Sequence, residues 1–162
     1  MKHLHPDAFA ASAEGPMRSV QPAPFEPDSL FGRLHLPSLL VVEQNQETSE
    51  LLELFLSQAY NLTVVRHHDR VTDLLRAFPY QLVFMGIDEG CEQPAIDALQ
   101  ALRLEDRAGR RTPVVASVCC LDSETERRLF NAGFDGFIKR TFTLRALCDM
   151  LNRVLQRENA FA

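Results

Sequence analysis

The sequence predicts an α/β domain built on a doubly wound, five-stranded parallel sheet flanked by five helices in three αβα layers. Two observations carry that reading. Short continuous apolar runs recur from residue 38 onward, as in parallel strands covered on both faces. Between them lie stretches whose apolar residues repeat at helical spacing, and strands alternating with such helices imply right-handed crossovers.

The first strand is "SLLVVE" (38–43). "NQETSELLELFLSQ" follows as a helix, with Leu51, Leu52, Phe55 and Leu56 on one stripe and Asn45 placed to cap it. "NLTVVRH" (61–67) is the second strand, and "DRVTDLLRAF" (69–78) a short helix with Val71, Leu74 and Leu75 inward. "QLVFMGI" (81–87) is the third strand, and "PAIDALQALRLED" (94–106) a helix burying Ile96, Leu99 and Leu102. "TPVVASVCC" (112–120) is the fourth strand. "DSETERRLFNAG" carries a capping box from Ser123 to Glu126 and a stop at Gly133. "DGFIK" (135–139) is the fifth strand, and "TLRALCDMLNRVLQ" (143–156) the last helix, with Leu144, Leu147, Leu151 and Val154 on its inner face.

A chain of 162 residues suits one domain of this kind with an appendage. Six of the nine prolines fall within the first 37 residues, where no helical or strand period is found, so residues 1–36 read as a disordered or loosely docked tail. Residues 37–156 form the domain and 157–162 a short C-terminal tail, with no further folded domain and no helix-turn-helix expected.

Composition narrows the function. Hydrophobic residues at 46% and charged residues at 24% match a water-soluble globular chain. No apolar run approaches the roughly 18 residues of a membrane helix, and the N-terminus lacks a secretory h-region, so the expectation is cytoplasmic, without a membrane partner. A net charge of -5 disfavours a broad nucleic-acid surface. The basic runs "RAGRR" (107–111) and "ERR" (126–128) read as solvated charge. His3 and His5 make a weak metal site. Cys91, Cys119, Cys120 and Cys148 lack zinc-site spacing and read as reduced, small core residues, Cys119 and Cys120 pointing to opposite faces of a strand.

In doubly wound sheets, function gathers at the carboxyl ends of the strands. The residues just past each strand are Glu43 and Gln44, Gly86 to Asp88, Val118 and Cys119, and Lys139 to Thr141. A glycine at the end of the third strand stands out, because glycine in a strand weakens it and often marks close approach by another group.

Taken in order, "LLVVEQNQETSELLELFL", "QLVFMGID", "RRTPVVASV" and "AGFDGFIKRTFTLRAL" resemble the receiver domain of two-component response regulators, over roughly residues 37–156. The resemblance implies a flavodoxin-like fold and, ordinarily, transfer of a phosphoryl group from histidine to aspartate with Mg²⁺. It also implies a shift at a threonine and an aromatic residue that remodels the face of the fourth helix, fifth strand and fifth helix.

This chain departs from that pattern where the chemistry would lie. The family's acidic pair falls on Glu43 and Gln44, and its phosphoacceptor on Gly86, which cannot be phosphorylated. The hydroxyl position falls on Val118. The phosphate-pairing lysine falls on Arg140, preceded by Lys139, and the proline after it on Thr141. Only the switch aromatic is kept, as Phe137, and a valine at 118 leaves it no signal to follow, so a fixed rotamer is expected. Threonine at 141 implies a trans peptide after Arg140, since a cis bond there would cost about 2.5–4 kcal/mol. Glu43 and Asp88 are a weak candidate pair for Mg²⁺, so no cofactor is expected, and Arg140 is free to pair with either carboxylate.

The expected function is that of a pseudo-receiver: a non-enzymatic protein–protein interaction module in a phosphorelay. Its face would carry Glu124, Arg127, Arg128, Lys139, Arg145, Asp149 and Arg153, docking a histidine kinase, a phosphotransfer protein, an output domain or a second copy. The alternatives are a response regulator phosphorylated on a displaced carboxylate, Asp88 or Glu43, and a redox or ligand sensor using Cys119 and Cys120.

Overall fold

Five strands line up in one parallel sheet in the order β2-β1-β3-β4-β5 in the computed structural model, which describes residues 36–106 and 111–160, the side chains of 158–160 excepted. The expected tail, apart from Leu36, and most of the run at 107–111 lie outside the described residues, as do His3 and His5. In chain order the elements are β1 (Ser38–Val42), α1 (Gln46–Leu56), β2 (Asn61–Val65), a 3₁₀ turn (His68–Arg70), α2 (Val71–Ala77) and β3 (Leu82–Ile87). Then come α3 (Glu92–Glu105), β4 (Val114–Val118), α4 (Ser123–Ala132), β5 (Gly136–Lys139) and α5 (Leu144–Ala160). The five-stranded doubly wound sheet with five helices expected from the sequence is the fold observed.

Alternation along each central strand sorts side chains to two cores. Leu39, Val41, Leu82, Phe84, Val115 and Ile138 face α1 and α5, meeting Leu52, Leu56, Leu147, Leu151 and Val154. Leu40, Val42, Val83, Met85, Val114 and Ala116 face the other way, onto Val71 of α2, Leu99 and Leu102 of α3, and Leu129 of α4. Burying each such leucine or valine contributes roughly 1.5–3 kcal/mol, which is why the centres of β1, β3 and β4 are continuous apolar runs.

The helix ends follow local chemistry. Asn45 caps α1, its side chain accepting from the Thr48 N–H at 2.8 Å. Gly133 closes α4 in the left-handed conformation, φ 103°, which costs glycine nothing. The cap of α4, however, is Asp122 and not Ser123: Asp122 has extended backbone and accepts from Thr125 N–H at 2.7 Å, while Ser123 is already helical. An N-cap must lie outside the helical region, so the cap stands one residue before the expected Ser123.

Four further expectations are corrected. The sheet covers the Leu52–Leu56 ridge of α1 with Phe55 at its margin, leaving Leu51 at 48% exposure further round the helix. Leu144 opens α5 beyond the sheet edge and is 43% exposed. α5 runs through Ala160, four residues past its expected end, into the stretch read as a tail. β4 ends at Val118, so Cys119 and Cys120 stand in the following loop; these two and Cys91 are exposed, and Cys148 is half-buried.

At the amino-terminal edge, Arg103 of α3 donates to Thr112 O (2.7 Å), Gly133 O (3.0 Å) and the carboxylates of Asp106 and Asp135. It thereby ties α3, β4 and the turn before β5. The opposite, carboxyl-terminal edge is free to carry the site.

Candidate functional site

The site is built where β1, β3, β4 and β5 end. Val42 pairs with Met85 and Gly86 with Ser117, so Glu43, Gly86 and Ser117 follow one another across three strands on the face toward α1 and α5. Glu43 and Ser117 are buried, at 1% and 0% exposure, flanking a residue with no side chain.

Glu43 fills that gap. A β-carbon at position 86 would collide with Glu43 Oε2, and would lie 2.7 Å from its Cδ and 3.0 Å from Oε1. The reason for glycine at 86 is therefore close approach by a buried carboxylate, since Gly86 is not among the glycines of positive φ. Glu43 Oε1 accepts from the Asn45 N–H at 2.9 Å, whereas Oε2 and Ser117 Oγ are buried without a partner.

Arg140, at the end of β5, reaches back across the strand ends. Its Nη1 donates to Asp88 Oδ1 at 2.6 Å and stands 3.6 Å from Cys119 Sγ; its Nη2 is 3.5 Å from Glu43 Oε1. Its side chain is 17% exposed and Glu43's is wholly buried, while Asp88's is 42% exposed at the rim. One guanidinium thus joins the ends of β1, β3 and β5 and touches the loop after β4.

The electrostatics follow from burial. Desolvation pushes the Glu43 carboxyl above its ordinary value, against the Asn45 N–H and the Arg140 charge, which favour the carboxylate. Arg140 is held above its ordinary value: burial opposes the charge, but the hydrogen bond to Asp88 and the charges of Glu43, Cys119 and Asp88 outweigh it. His68 was not singled out in the sequence. It is buried at 7% exposure in the 3₁₀ turn after β2, with Nε2 unpartnered. Burial lowers its pKa, opposed by a hydrogen bond to the Gly86 backbone and by the charge of Asp88. The available signal was its place just past a strand end.

The remaining candidates are at or near the rim. Gln44 and Thr141 are exposed, and Val118 is buried in the core toward α3 and α4. Phe137 packs half-buried against that core, and the peptide after Arg140 is trans. Phe142, one residue beyond Thr141, packs edge-on against Phe84 with ring centroids 6.3 Å apart and anchors the loop into α5. Among the described residues no group of three or more His, Cys, Asp or Glu side chains is arranged to hold a metal ion.

On the face of α4, β5 and α5, Glu124, Arg127, Lys139, Arg145, Asp149 and Arg153 are exposed. Arg128 is exposed too but pairs with Glu92 of α3 at 2.7 Å, and Arg145 lies 4.0 Å from Asp149. Sequence reasoning missed Phe130, 69% exposed and one turn from Arg127 on α4. Its signal was available, because it follows the buried Leu129 and so falls off the inward stripe.

No protein-family model matches the chain. It is similar to the regulatory protein VanRB of Enterococcus faecalis, with 26% identity over 125 residues that cover 76% of this chain and 54% of that protein. The chain thus spans about half the length of the curated relative it matches. Among solved structures, it superposes on a CheY-like response regulator receiver domain protein from Methanospirillum hungatei with TM-score 0.66 and 16% identity, covering 78% of this chain and 99% of that one. A response regulator from Thermotoga maritima gives TM-score 0.64 at 21% identity, covering 75% and 98%. The receiver domain of a Francisella response regulator gives 0.62 at 20%, with the same coverage. The chain has the receiver fold, and no helix among its described residues is long and apolar enough to cross a membrane.

Proposed function

We propose that the chain is a receiver-like module of two-component signalling that engages its partner without accepting a phosphoryl group. The observation that supports this most is the occupation of the Gly86 site by Glu43. The position that would present the acceptor aspartate carries no side chain, and the carboxylate in its place is buried and paired with Arg140. In-line phosphoryl transfer needs an exposed, placed oxygen. Glu43 Oε2 is enclosed, and Asp88 Oδ1 is engaged by Arg140 at 2.6 Å.

Magnesium has no part in this reading. The ion wants oxygen ligands in octahedral array, usually with one or two carboxylates. Here a guanidinium already bridges the only two carboxylates considered for it, and brings a positive charge where the ion would sit. The module is not an enzyme in this reading. Arg140 fixes the loops at the strand ends, Phe142 anchors the loop into α5, and the face of α4, β5 and α5 is presented in one state.

Phe130 supplies an apolar anchor on that face, and Arg127, Lys139 and Arg153 give it charge that steers association. The partner class is a histidine kinase, a phosphotransfer protein or an output domain. The test is calorimetric titration of the full chain against the kinases and phosphotransfer proteins of its own cell, with and without acetyl phosphate and Mg²⁺. The expected result is one affinity under both conditions, weakened about tenfold or more by Phe130→Asp. Binding that requires the phosphodonor would overturn the reading.

A further inference from the structure

The loop after β4 carries two adjacent thiols, the first of them beside Arg140. Cys119 and Cys120 are both exposed, because β4 stops at Val118 and does not carry them into the sheet. Cys91, at the start of α3, is exposed as well, but among the described residues it is Cys119 that stands beside a cation, with Arg140 Nη1 at 3.6 Å from its sulfur. That cation is not a mobile surface charge. It is held by Asp88 at 2.6 Å and lies 3.5 Å from Glu43, with its side chain mostly buried. Thiols that react as thiolates sit in electropositive, partly exposed surroundings, where the attacking sulfur has open access to a disulfide.

We propose that Cys119 is a thiol–disulfide exchange site, its sulfur beside the Arg140 guanidinium, with Cys120 as the resolving thiol. Cys119 gives its proton to solvent, and its sulfur attacks one sulfur of a low-molecular-weight disulfide. The S–S bond of that disulfide breaks, a bond to Cys119 forms, and the other half leaves as a thiolate. Cys120 then gives up its proton and displaces the second small thiol, leaving a Cys119–Cys120 disulfide. Two cysteine thiols are oxidised and one small disulfide is reduced to two thiols.

Neighbouring α-carbons are about 3.8 Å apart, below the roughly 4.4–6.8 Å usual for bridged cysteines. The ring formed is therefore strained and readily reduced, which suits a reversible mark. Oxidation ties the sulfur beside Nη1 into a disulfide, so the cluster that ties the strand ends changes at that contact. This inference does not depend on the proposed signalling role.

The test treats the full chain with glutathione disulfide near neutral pH, quenches with acid, and follows each cysteine by peptide mass spectrometry. Cys119 is expected to acquire the first adduct at least about threefold faster than Cys91, which is also exposed. The preference should vanish in concentrated urea and fall to parity in Arg140→Met. In Cys120→Ser, the mixed disulfide at Cys119 should accumulate. First reaction at Cys91 or Cys120, or a Cys119 preference that survives urea, would overturn the proposal. The comparison of folded with unfolded wild type decides the matter even if Arg140→Met does not fold.

Discussion

The Glu43 carboxylate lies over the α-carbon of Gly86, in the space that any side chain at 86 would enter. The two residues are on neighbouring strands, and each explains the other. Glycine in a strand costs roughly 0.5–1 kcal/mol relative to alanine, but here alanine would strike a buried carboxylate that is hydrogen-bonded to Asn45.

Gly86→Ala should therefore destabilise the domain, by about 1–3 kcal/mol, as expected for overpacking. Gly86→Asp should cost more, since it adds like charge beside Glu43. Truncating Glu43 to alanine alongside Gly86→Asp should recover much of the loss, giving a coupling of about 1 kcal/mol or more. Urea midpoints of the two single variants and the double variant measure this. Strict additivity would mean that the two positions do not meet energetically.

Arg140→Ala should leave a carboxylate buried without its countercharge. The expected cost is about 2–3 kcal/mol, at the low end for breaking a buried pair, because Arg140 retains 17% exposure and the Glu43 contact is 3.5 Å. Adding Glu43→Gln should restore most of the midpoint. An unchanged midpoint in Arg140→Ala would count against the guanidinium as the tie between strand ends.

The pH dependence has two opposed limbs. Unfolded, Glu43 loses its proton near 4.5; burial makes the folded chain keep that proton to higher pH. Between those two values the folded state binds more protons, so this contribution to stability falls as pH rises and then levels off. His68 acts in the other direction. Burial lowers it from 6.5, so the unfolded chain takes up a proton first as pH falls, and stability is lost through that window. Urea midpoints from pH 4.5 to 7.5 should show wild type losing stability relative to Glu43→Gln as pH rises. A difference that moves the other way would mean that Arg140, and not desolvation, governs Glu43.

Much of the fold was legible because period and topology are local to the sequence. Continuous apolar runs such as "LLVV" and "LVFM" can only be strands covered on both faces once helices alternate with them. The misread positions share one cause, which is that exposure depends on where an element stops against its neighbours. Leu51 and Leu144 carry helical spacing yet lie past the width of sheet that covers them. Cys119 and Cys120 read as strand because they extend an apolar run, but β4 ends with its last pairing, Val118 to Lys139. Of the site, the positions of Gly86, Val118 and Arg140 at the strand ends could be read from spacing. The placement of Glu43 over Gly86 could not, because it depends on the reach of one long side chain across a strand. His68 needed the turn after β2 to bring it over the Gly86 backbone.

Glu43 and Arg140 close the strand ends around Gly86, and the most direct measurement of the consequence is the intact mass of the full chain after incubation with acetyl phosphate and Mg²⁺. The wild-type mass should be unchanged. A gain of one phosphoryl group, lost in Asp88→Asn or in Glu43→Gln, would contradict this and restore a displaced acceptor.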